Sequence, residues 1–383
     1  MEFPSYFKDF LTAIRPTEDE VKEYKEGHET LRSKLLADPN LSPDIVSTFL
    51  QGSYRRATAI QPENAKRSDV DVVIVTNFSE DEYTPARAQA EFIAFLESDD
   101  DYKDHFEPQD RSIGIELETV DLDLVITSAP SEVDQEALRS ATVTTQDSLT
   151  DATDWRLVKS WVPTSGRNAV WADGLLRRAA SEAEWKLNPL RIPDRELKDW
   201  QDTHPLEQMR WTSEYNRLCN THFVNVVKAL KWWRRLNFTT PKYPKGYPVE
   251  HLIGTFCPEG ITSVAQGVTL TLEGIANDPN LMLAAILKQT PVLCDRGVPK
   301  NNVFARVSGD DFSLFFDQVK EAAAIARVAF DETDKYLSAE GWRKLFGDRF
   351  PEADPPDDDG NGGDPGGFTP RKRRTEIIPS RFG

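Results

Sequence analysis

Residues Asp69–Thr76 read DVDVVIVT, and this stretch decides how the chain folds. It is rich in β-branched residues and predicts a central β-strand. Side chains two positions apart on a strand point to the same face, so Asp69 and Asp71 share one face. Val70 and Val72 take the opposite face and anchor the strand in a core. Two acids on one face of such a strand repel each other, and burying them costs free energy unless a cation is present.

A second pair of acids with the same spacing follows in residues 112–127, SIGIELETVDLDLVIT. This segment predicts a long strand or the arm of a hairpin, with Asp121 and Asp123 on one face. Three or four carboxylates on neighbouring strands form a hard-oxygen site suited to Mg²⁺ or Mn²⁺. Two such ions, about 4 Å apart, stabilise both the attacking and the leaving oxygen in phosphoryl transfer.

A glycine–serine turn lies upstream of both acid pairs. Gln51, Gly52 and Ser53 follow a predicted strand at residues 45–50. Glycine lets the backbone approach a phosphate closely, and N–H groups at a helix start can hold a triphosphate together with a serine hydroxyl. Each motif alone is also typical of a solvated strand face or an ordinary turn. In this order they predict a phosphate-binding turn, then a metal-binding acid pair, then a further acid.

The composition limits the class of protein. The chain has 383 residues, with 46 Lys and Arg against 64 Asp and Glu, so its formal net charge is −18. This length predicts about two domains or one two-lobed enzyme. The negative charge opposes non-specific coating of nucleic acid, so we expect no strong nucleic-acid binding. The sequence contains no apolar run of about 18 residues, and we expect no membrane span.

Cysteine usage and the N-terminus point to a cytoplasmic protein. Cys219, Cys257 and Cys294 are scattered and odd in number, which does not suggest a disulfide framework. The N-terminal MEFPSYFKDF lacks the pattern of a secretory signal. The cysteines and His251 also lack the close spacing of a zinc site.

The chain divides into three predicted parts. Residues 1–160 should form a sheet lobe that carries the acids and has an N-terminal helix, which starts at a capping box in residues 17–20. Residues 161–345 should form a mostly helical lobe, with one long helix over Tyr215–Leu236. Residues 351–383 begin PEADPPDDDGNGGDPGG, which has almost nothing to bury and predicts a flexible tail.

The order Gly-Ser, then Asp-x-Asp, then a later Asp is similar to the nucleotidyltransferases with a DNA-polymerase-β-like fold. Four segments narrow the resemblance: QGSYRRATAI at 51–60, SDVDVVIV at 68–75, VVKALKWWRR at 226–235 and YPKGYPVEHLIG at 243–254. They resemble the oligoadenylate synthase and cyclic GMP–AMP synthase branch, whose bacterial members are the CD-NTases of CBASS antiphage systems. The resemblance implies an α/β (α+β) fold: a polymerase-β-like sheet lobe plus a mostly helical C-terminal lobe, with a central cleft between them.

The resemblance also implies which acids are catalytic. Asp69 and Asp71 would hold two metal ions, Mg²⁺ or Mn²⁺. Asp123 would be the third catalytic acid, a metal ligand that acts on the attacking hydroxyl. It matches because the segment DLVIT has the family's Asp followed by apolar residues. Asp121 competes with Asp123 for this role.

The same resemblance implies a nucleotide-binding set drawn from both lobes: Gln51, Gly52, Ser53, Lys228, Lys231 and Tyr247. The first three would bind the donor triphosphate. Lys228 and Lys231 are three positions apart, so they share a helix face and would meet triphosphate oxygens. Their alternative is an ordinary basic surface. Tyr247 would stack on a base, and its alternative is a packing role.

The expected activity is metal-dependent synthesis of a cyclic di- or trinucleotide second messenger from ATP and another nucleoside triphosphate such as GTP. Pyrophosphate would be released, and the product would act in antiphage CBASS signalling. Two alternatives stay open: transfer of a single nucleotide to a drug, tRNA or protein acceptor, or an inactive nucleotide-binding scaffold. Gly246 stands where oligoadenylate synthases have Gln, which leaves the base choice open.

One partner is implied by the resemblance alone. CBASS systems of one type encode a ubiquitin-transfer-like enzyme that conjugates the CD-NTase through its C-terminus. The predicted tail ends in Ser-Arg-Phe-Gly, so such a conjugating enzyme would act on Gly383. The alternative is a tail without this role.

Overall fold

Seven strands form one mixed sheet in the part of the chain that the computed structural model describes, which comprises residues 1–62, 67, 69–129, 131–140, 188–238 and 243–354. The strands are β1 (Ile45–Gln51), β2 (Asp69–Thr76), β3 (Phe106–Pro108), β4 (Ile113–Glu116), β5 (Asp121–Ser128), β6 (Leu190–Asp194) and β7 (Asp199–Thr203).

Helices flank this sheet and build the second half of the described chain. They are α1 (Pro4–Ile14), α2 (Glu18–Ala37), α3 (Gly52–Arg55), α4 (Pro85–Ser98), α5 (Glu132–Ser140), α6 (Pro205–Leu218), α7 (Phe223–Asn237), α8 (Tyr247–Phe256), α9 (Val264–Asn277), α10 (Pro279–Ile286), α11 (Gly309–Asp331) and α12 (Lys335–Phe346), followed by a short 3₁₀ turn at Gly347–Arg349.

The sheet places β2 and β5 side by side at its centre. The strand order is β1-β2-β5-β4-β3, and β2 and β5 are the parallel pair. Strand β1 pairs antiparallel with β2, and β4 pairs antiparallel with the first half of β5. The hairpin of β6 and β7 joins at the other end of β5, where Ser128 pairs with Arg191. Both central strands are therefore held on each side by a neighbour.

Apolar side chains cover both faces of the sheet. Val70 and Leu122 contribute to a core with α2 and α4, as the strand alternation predicts. Val73 and Val125 lie on the opposite face, in a smaller core that includes Leu138 of α5. The acids precede these last two valines on the same face, so they lie at the edge of a buried surface.

A separate large core holds the helical half together. It unites α7, α8, α9, α11 and α12 with α1, the first helix of the chain. The ring of Phe7 on α1 contacts Trp342 edge-on at 5.1 Å, and Phe10 stacks on Phe346 at 4.6 Å. Helix α1 therefore packs with the helical half, whereas α2 packs on the sheet. The predicted boundary between residues 160 and 161 lies outside the described residues, and so does the predicted tail beyond residue 354.

Most predicted elements are confirmed, and one needs correction. Thr17 and Glu20 form the predicted capping box at the start of α2. Segment 112–127 forms a hairpin of β4 and β5, which is one of its two predicted forms. The single helix predicted over Tyr215–Leu236 is wrong, because α6 ends at Leu218 and α7 begins at Phe223. Between them Asn220 and Thr221 have positive φ angles of 52° and 66°, which an α-helix excludes.

The sequence pattern does not predict the β6–β7 hairpin. The mixed α/β architecture with a helical second half agrees with the predicted fold class. Within the described ranges, no helix has the length and apolar character needed to cross a bilayer.

Candidate active site

Four acids form a grid on the two central strands. In the parallel register Asp69 lies opposite Asp121, and Asp71 lies opposite Asp123. Residues two apart on a strand share a face, so all four carboxylates project from the same side, near the beginning of β2 and β5. The sequence predicts acid pairs on neighbouring strands, and in the structure the two strands that carry them, β2 and β5, pair directly with each other.

The glycine–serine turn lies directly against this grid. Gln51 at the end of β1 pairs in register with Asp71, and the chain then turns into the single-turn helix α3. Gly52 has a φ of +76°, and a Cβ atom built on it would lie 1.7 Å from Oδ2 of Asp71. Any other residue at position 52 would be strained and would push the Asp71 carboxylate away.

Burial and mutual repulsion shift the pKa values of the two inner acids. Burial and, after it, the nearby charges of Asp71 and Asp69 together raise the pKa of Asp123 to about 7. Burial also raises the pKa of Asp71 to about 6, although the attraction of Arg56 opposes the shift. Negative charge at this edge of the sheet therefore exceeds what the described neighbours compensate.

Asp121 differs from Asp123 in having a cationic partner. Nη1 of Arg67 donates to Oδ1 of Asp121 at 3.0 Å. Burial raises the pKa of the Asp121 carboxyl, and the Arg67 charge and hydrogen bond oppose the rise. Asp123 instead lies opposite Asp71, the other inner acid.

The donor set suits a hard divalent cation, although the side chains do not enclose one as they stand. Asp69, Asp71 and Asp123 offer only carboxylate oxygens, the ligands that Mg²⁺ and Mn²⁺ prefer. Among the described residues, no three or more His, Cys, Asp and Glu side chains converge closely enough to hold a metal ion. The raised pKa values of Asp71 and Asp123 show that added positive charge would be favourable here, so the residues fit such an ion.

A cavity of about 140 Å³ lies between the turn and helix α7. Three of the predicted site residues, Ser53, Asp69 and Lys231, line it. Two further cations, Arg67 and Arg235, line the same cavity, and no role was predicted for either. The basic run at the end of α7 was the sequence signal for Arg235. This cavity thus joins the turn, one acid and several cations, as a bound triphosphate would require.

Lys231 is held by a carboxylate, Glu250, to which the sequence reasoning assigned no role. Nζ of Lys231 donates to Oε1 of Glu250 at 2.7 Å and to the carbonyl oxygen of Thr58 at 2.9 Å. The other oxygen, Oε2, accepts from Oγ1 of Thr58 at 2.9 Å and from Nε of Arg56 at 3.2 Å. Glu250 stands in the segment 243–254 that carries the family resemblance, and this was the available signal.

This second cluster is balanced in charge. Burial alone would raise the pKa of Glu250, but the charges of Lys231 and Arg56 outweigh it and lower the pKa to about 2. Burial lowers the pKa of Lys231, and the charge and hydrogen bond of Glu250 oppose this shift. The lowered pKa of Glu250 describes the charge state of this cluster, because this carboxylate pairs with two cations and stays ionised.

Of the six predicted nucleotide-binding residues, Gln51 and Gly52 of the turn and Lys228 and Tyr247 of the helical half do not line the 140 Å³ cavity. Lys228 is buried on α7 with 4% of its surface exposed. Tyr247 begins α8, and the guanidinium carbon of Arg56 lies 5.3 Å from the centre of its ring. The ring borders a separate cavity of about 10 Å³, shared with His251 and Arg296. This space holds one water molecule at most, and the roles of Lys228 and Tyr247 stay predictions.

Comparison with known proteins identifies the class. Residues 1–129 match the model of the Second Messenger Oligonucleotide or Dinucleotide Synthetase domain. The chain is 44% identical over 374 residues to the cyclic AMP-AMP-GMP synthase of Enterobacter hormaechei, covering 95% of this chain and 96% of that protein. It is 30% identical over 351 residues to the cyclic AMP-AMP-AMP synthase of an Acinetobacter strain, covering 91% and 85%.

A solved structure shows the same fold. The CD-NTase CdnG of Bradyrhizobium diazoefficiens, in complex with GTP, superposes with a TM-score of 0.63 at 13% identity, covering 91% of this chain and 97% of that chain. The sheet with acids on its central strands and the helical second half therefore share the fold of this CD-NTase.

With 44% identity along nearly the whole of both chains, the protein belongs to the CD-NTase family, the cyclic-oligonucleotide synthases of CBASS antiphage defence. It is a nucleotidyltransferase that makes a cyclic nucleotide second messenger. The predicted family, fold class and enzyme class are confirmed.

Proposed function

We propose that the product is a cyclic trinucleotide built from two AMP units and one GMP unit. The observation that carries this proposal is the 44% identity, over almost the full length of both chains, to a synthase of cyclic AMP-AMP-GMP. A second candidate product, the all-AMP trimer, is supported by the 30% identity to a cyclic AMP-AMP-AMP synthase. The lower identity makes it the weaker candidate.

The two halves of the molecule divide the work in this proposal. The sheet half, predicted as residues 1–160, binds metal and donor phosphates through the acids and the turn at residues 51–53. The helical half, predicted as residues 161–345, contributes Lys231 to the phosphates and Tyr247 to a base. The cavity lined by Ser53, Asp69 and Lys231 supports this division, because it contains residues from both halves.

In the chemical step, a ribose hydroxyl oxygen attacks the α-phosphorus of the donor nucleotide in line with the leaving group. A phosphodiester bond forms, the bond from the α-phosphorus to the bridging oxygen of pyrophosphate breaks, and the hydroxyl proton passes to a carboxylate. Asp123 is our candidate acceptor, because the family resemblance gives its position to the acid that acts on the attacking hydroxyl. Catalysis comes mainly from holding the reacting atoms in this geometry.

Asp69, Asp71 and Asp123 would hold two ions, Mg²⁺ or Mn²⁺. Such ions would supply positive charge that stabilises the attacking and the leaving oxygens. Gln51, Gly52 and Ser53 would orient the donor triphosphate, and Ser53 borders the cavity in which it would lie. Asp121 contributes less in this proposal, because Arg67 already binds it.

The product assay tests the proposal directly. Purified protein is incubated with single nucleoside triphosphates and with pairs of them, with Mg²⁺ or Mn²⁺, and phosphatase-resistant products are analysed by mass spectrometry. We expect a cyclic species of two AMP and one GMP from ATP plus GTP. An all-AMP ring in that mixture would favour the second candidate. A nucleotide joined to a non-nucleotide acceptor would contradict both.

The site is tested by the double variant Asp69→Asn/Asp71→Asn. We expect turnover to be lost while the circular dichroism spectrum stays that of the wild type, since the changes remove charge but little volume. Asp317→Asn on the exposed face of α11 is the matched control and should keep full activity. Product formation by the folded double variant would show that these acids do not hold the metal.

Two further predictions remain part of the proposal. The reaction would take place in the cytoplasm, where its nucleoside triphosphate substrates are found. Conjugation at Gly383 by a ubiquitin-transfer-like enzyme rests on the family resemblance alone, and Gly383 lies outside the described residues.

A further inference from the structure

Glu250 connects the helical half of the molecule to the turn that carries Ser53. It lies on α8 and is 6% exposed, and its contacts reach across to the chain segment just after α3. That segment folds back on the turn, because the backbone N–H of Thr58 donates to the carbonyl oxygen of Ser53 at 2.9 Å. Thr58 in turn donates its hydroxyl to Glu250 at 2.9 Å. The carboxylate is therefore one residue removed from the phosphate-binding turn.

The same carboxylate fixes the lysine on the opposite wall of the cavity. A lysine side chain is a flexible stem with a point charge, so its position must be set by its partners. Glu250 and the carbonyl oxygen of Thr58 take two of the three N–H donors of Lys231. The third donor is available to a ligand oxygen in the cavity that Lys231 lines with Ser53.

The cluster sets a cation beside the cavity. Glu250 pairs with Arg56 and Lys231, of which Lys231 lines the cavity, while the charge of Arg56 also acts on Asp71. The side chains of Glu250 and Arg56 are each 7% exposed, so water screens these charges weakly. A buried ion cluster that merely joined two halves would not need to place one of its cations on the wall of the nucleotide cavity.

We infer that Glu250 is a positioning residue for the donor triphosphate, setting Lys231 on one wall of the cavity and Ser53, through Thr58, on the other. The inference rests on the proposed function in that the ligand is the donor nucleotide. Glu250 does not contact the reacting atoms. It acts through the two groups that it holds, so its loss should weaken triphosphate binding more than base or ribose binding.

The test compares binding of α,β-methylene-ATP with binding of AMP, by calorimetry in the presence of Mg²⁺, on the full-length protein. The methylene bridge prevents loss of pyrophosphate, so binding is measured without turnover. For Glu250→Gln we expect the affinity for the analogue to fall about 10-fold or more and the affinity for AMP to change less than about threefold. The KM for ATP should rise by more than kcat falls.

A matched control separates positioning from general stability. Glu273 on α9 makes a two-oxygen ion pair with Arg327 and does not line the cavity. Glu273→Gln should leave both affinities within about twofold of wild type.

Thr58→Val removes the hydrogen bond from the Thr58 hydroxyl to Glu250 and leaves both ion pairs in place, so it tests the inference even if Glu250→Gln does not fold. We expect this variant to bind the analogue about threefold more weakly than the wild type does.

Two results would overturn the inference. One is wild-type affinity for the analogue in both folded variants, or in Thr58→Val alone if Glu250→Gln does not fold. The other is an equal loss for AMP and for the analogue, which would indicate a purely structural role. Failure of the proposed function is distinguishable, because a wild-type protein that binds the analogue but makes a product other than the ring of two AMP and one GMP refutes the proposed product and leaves the Glu250 measurement valid.

Discussion

Two clusters of buried charge lie side by side in this molecule, and they differ in balance. On the sheet, Asp71 and Asp123 lie opposite each other on two parallel strands, and the charge of Asp71 raises the pKa of Asp123. On the helical side, Glu250 is bound by Lys231 and Arg56 and stays ionised far below its usual range, with a pKa of about 2. Arg56 belongs to both, since its charge also acts on Asp71.

The difference shows which cluster awaits a ligand. Like charges that raise one another's pKa are costly to the fold, and a cation relieves that cost. A carboxylate with two cationic partners and a hydroxyl donor is already satisfied, so its role is to hold those partners in place. The unbalanced acids therefore suit metal-assisted chemistry, and the balanced cluster suits positioning.

The largest expected effect distinguishes two acids on one strand. Asp123→Asn should lower the rate of pyrophosphate release at least about 1,000-fold, because it removes a proposed ligand of the metal ions that is also the candidate proton acceptor. Asp121→Asn should lower it less than about 10-fold, because Arg67 already neutralises that carboxylate. Initial rates at saturating Mg²⁺ check both. Equal losses would show that the pairing with Arg67 does not separate the two acids.

The next effect probes the contact between the turn and the acids. Gly52→Ala should lower turnover about 100-fold, because its Cβ would meet the Asp71 carboxylate and displace it. Gly260→Ala is the matched control. Its φ of +74° imposes the same backbone strain as the +76° of Gly52, yet nothing lies within 4 Å of the added carbon. Comparable losses in both variants would attribute the effect to strain alone.

The third prediction concerns the free energy of unfolding: removing a carboxylate should lower it in the Glu250 cluster but not in the acid cluster. Glu250→Gln should lower the free energy of unfolding by about 3 kcal/mol, because it leaves Lys231 and Arg56 buried without their carboxylate. Asp71→Asn should leave it unchanged or raise it in metal-free buffer, because it relieves repulsion. Urea unfolding followed by circular dichroism measures both. A destabilised Asp71→Asn variant would show that the acid cluster is compensated after all.

Sequence reasoning reached the acid site because its signals are local. The alternation in Asp69–Thr76 fixes which residues share a face, and two acid pairs with equal spacing on neighbouring strands imply their proximity. Gly52 was found for a general reason, close approach of backbone and phosphate. Its contact with Asp71 depends on the pairing of β1 with β2, which no local pattern reveals.

The helical side was harder to predict because its contacts join distant parts of the chain. Glu250 and Thr58 are 192 positions apart, and their hydrogen bond exists only once α8 docks on the turn. Lys231 could be placed on a basic helix face, but its partner could not. The break at Asn220 and Thr221 was missed because the apolar spacing on either side suits one continuous helix.

The smallest expected effect is the pH dependence of the Glu250 contribution. The pKa of this carboxyl is about 2 in the folded protein, below its ordinary value of 4.5. A lowered pKa stabilises the fold fully above the unfolded value, and the contribution is lost as pH falls through the folded value. The stability difference between wild type and Glu250→Gln should therefore be constant from pH 7 to about pH 5.

Below that range the difference should shrink, by about 1 kcal/mol at pH 4 relative to pH 7, because the unfolded chain takes up a proton that the folded one does not. Urea unfolding at several pH values measures it. Leu31→Ala, a fully buried apolar change, is the control and should show a pH-independent difference from wild type. If the stability difference between wild type and Glu250→Gln instead grows toward acid pH, the pKa of this carboxyl is raised in the folded protein. Glu250 would then not be the compensated carboxylate that distinguishes its cluster from the acids on the sheet.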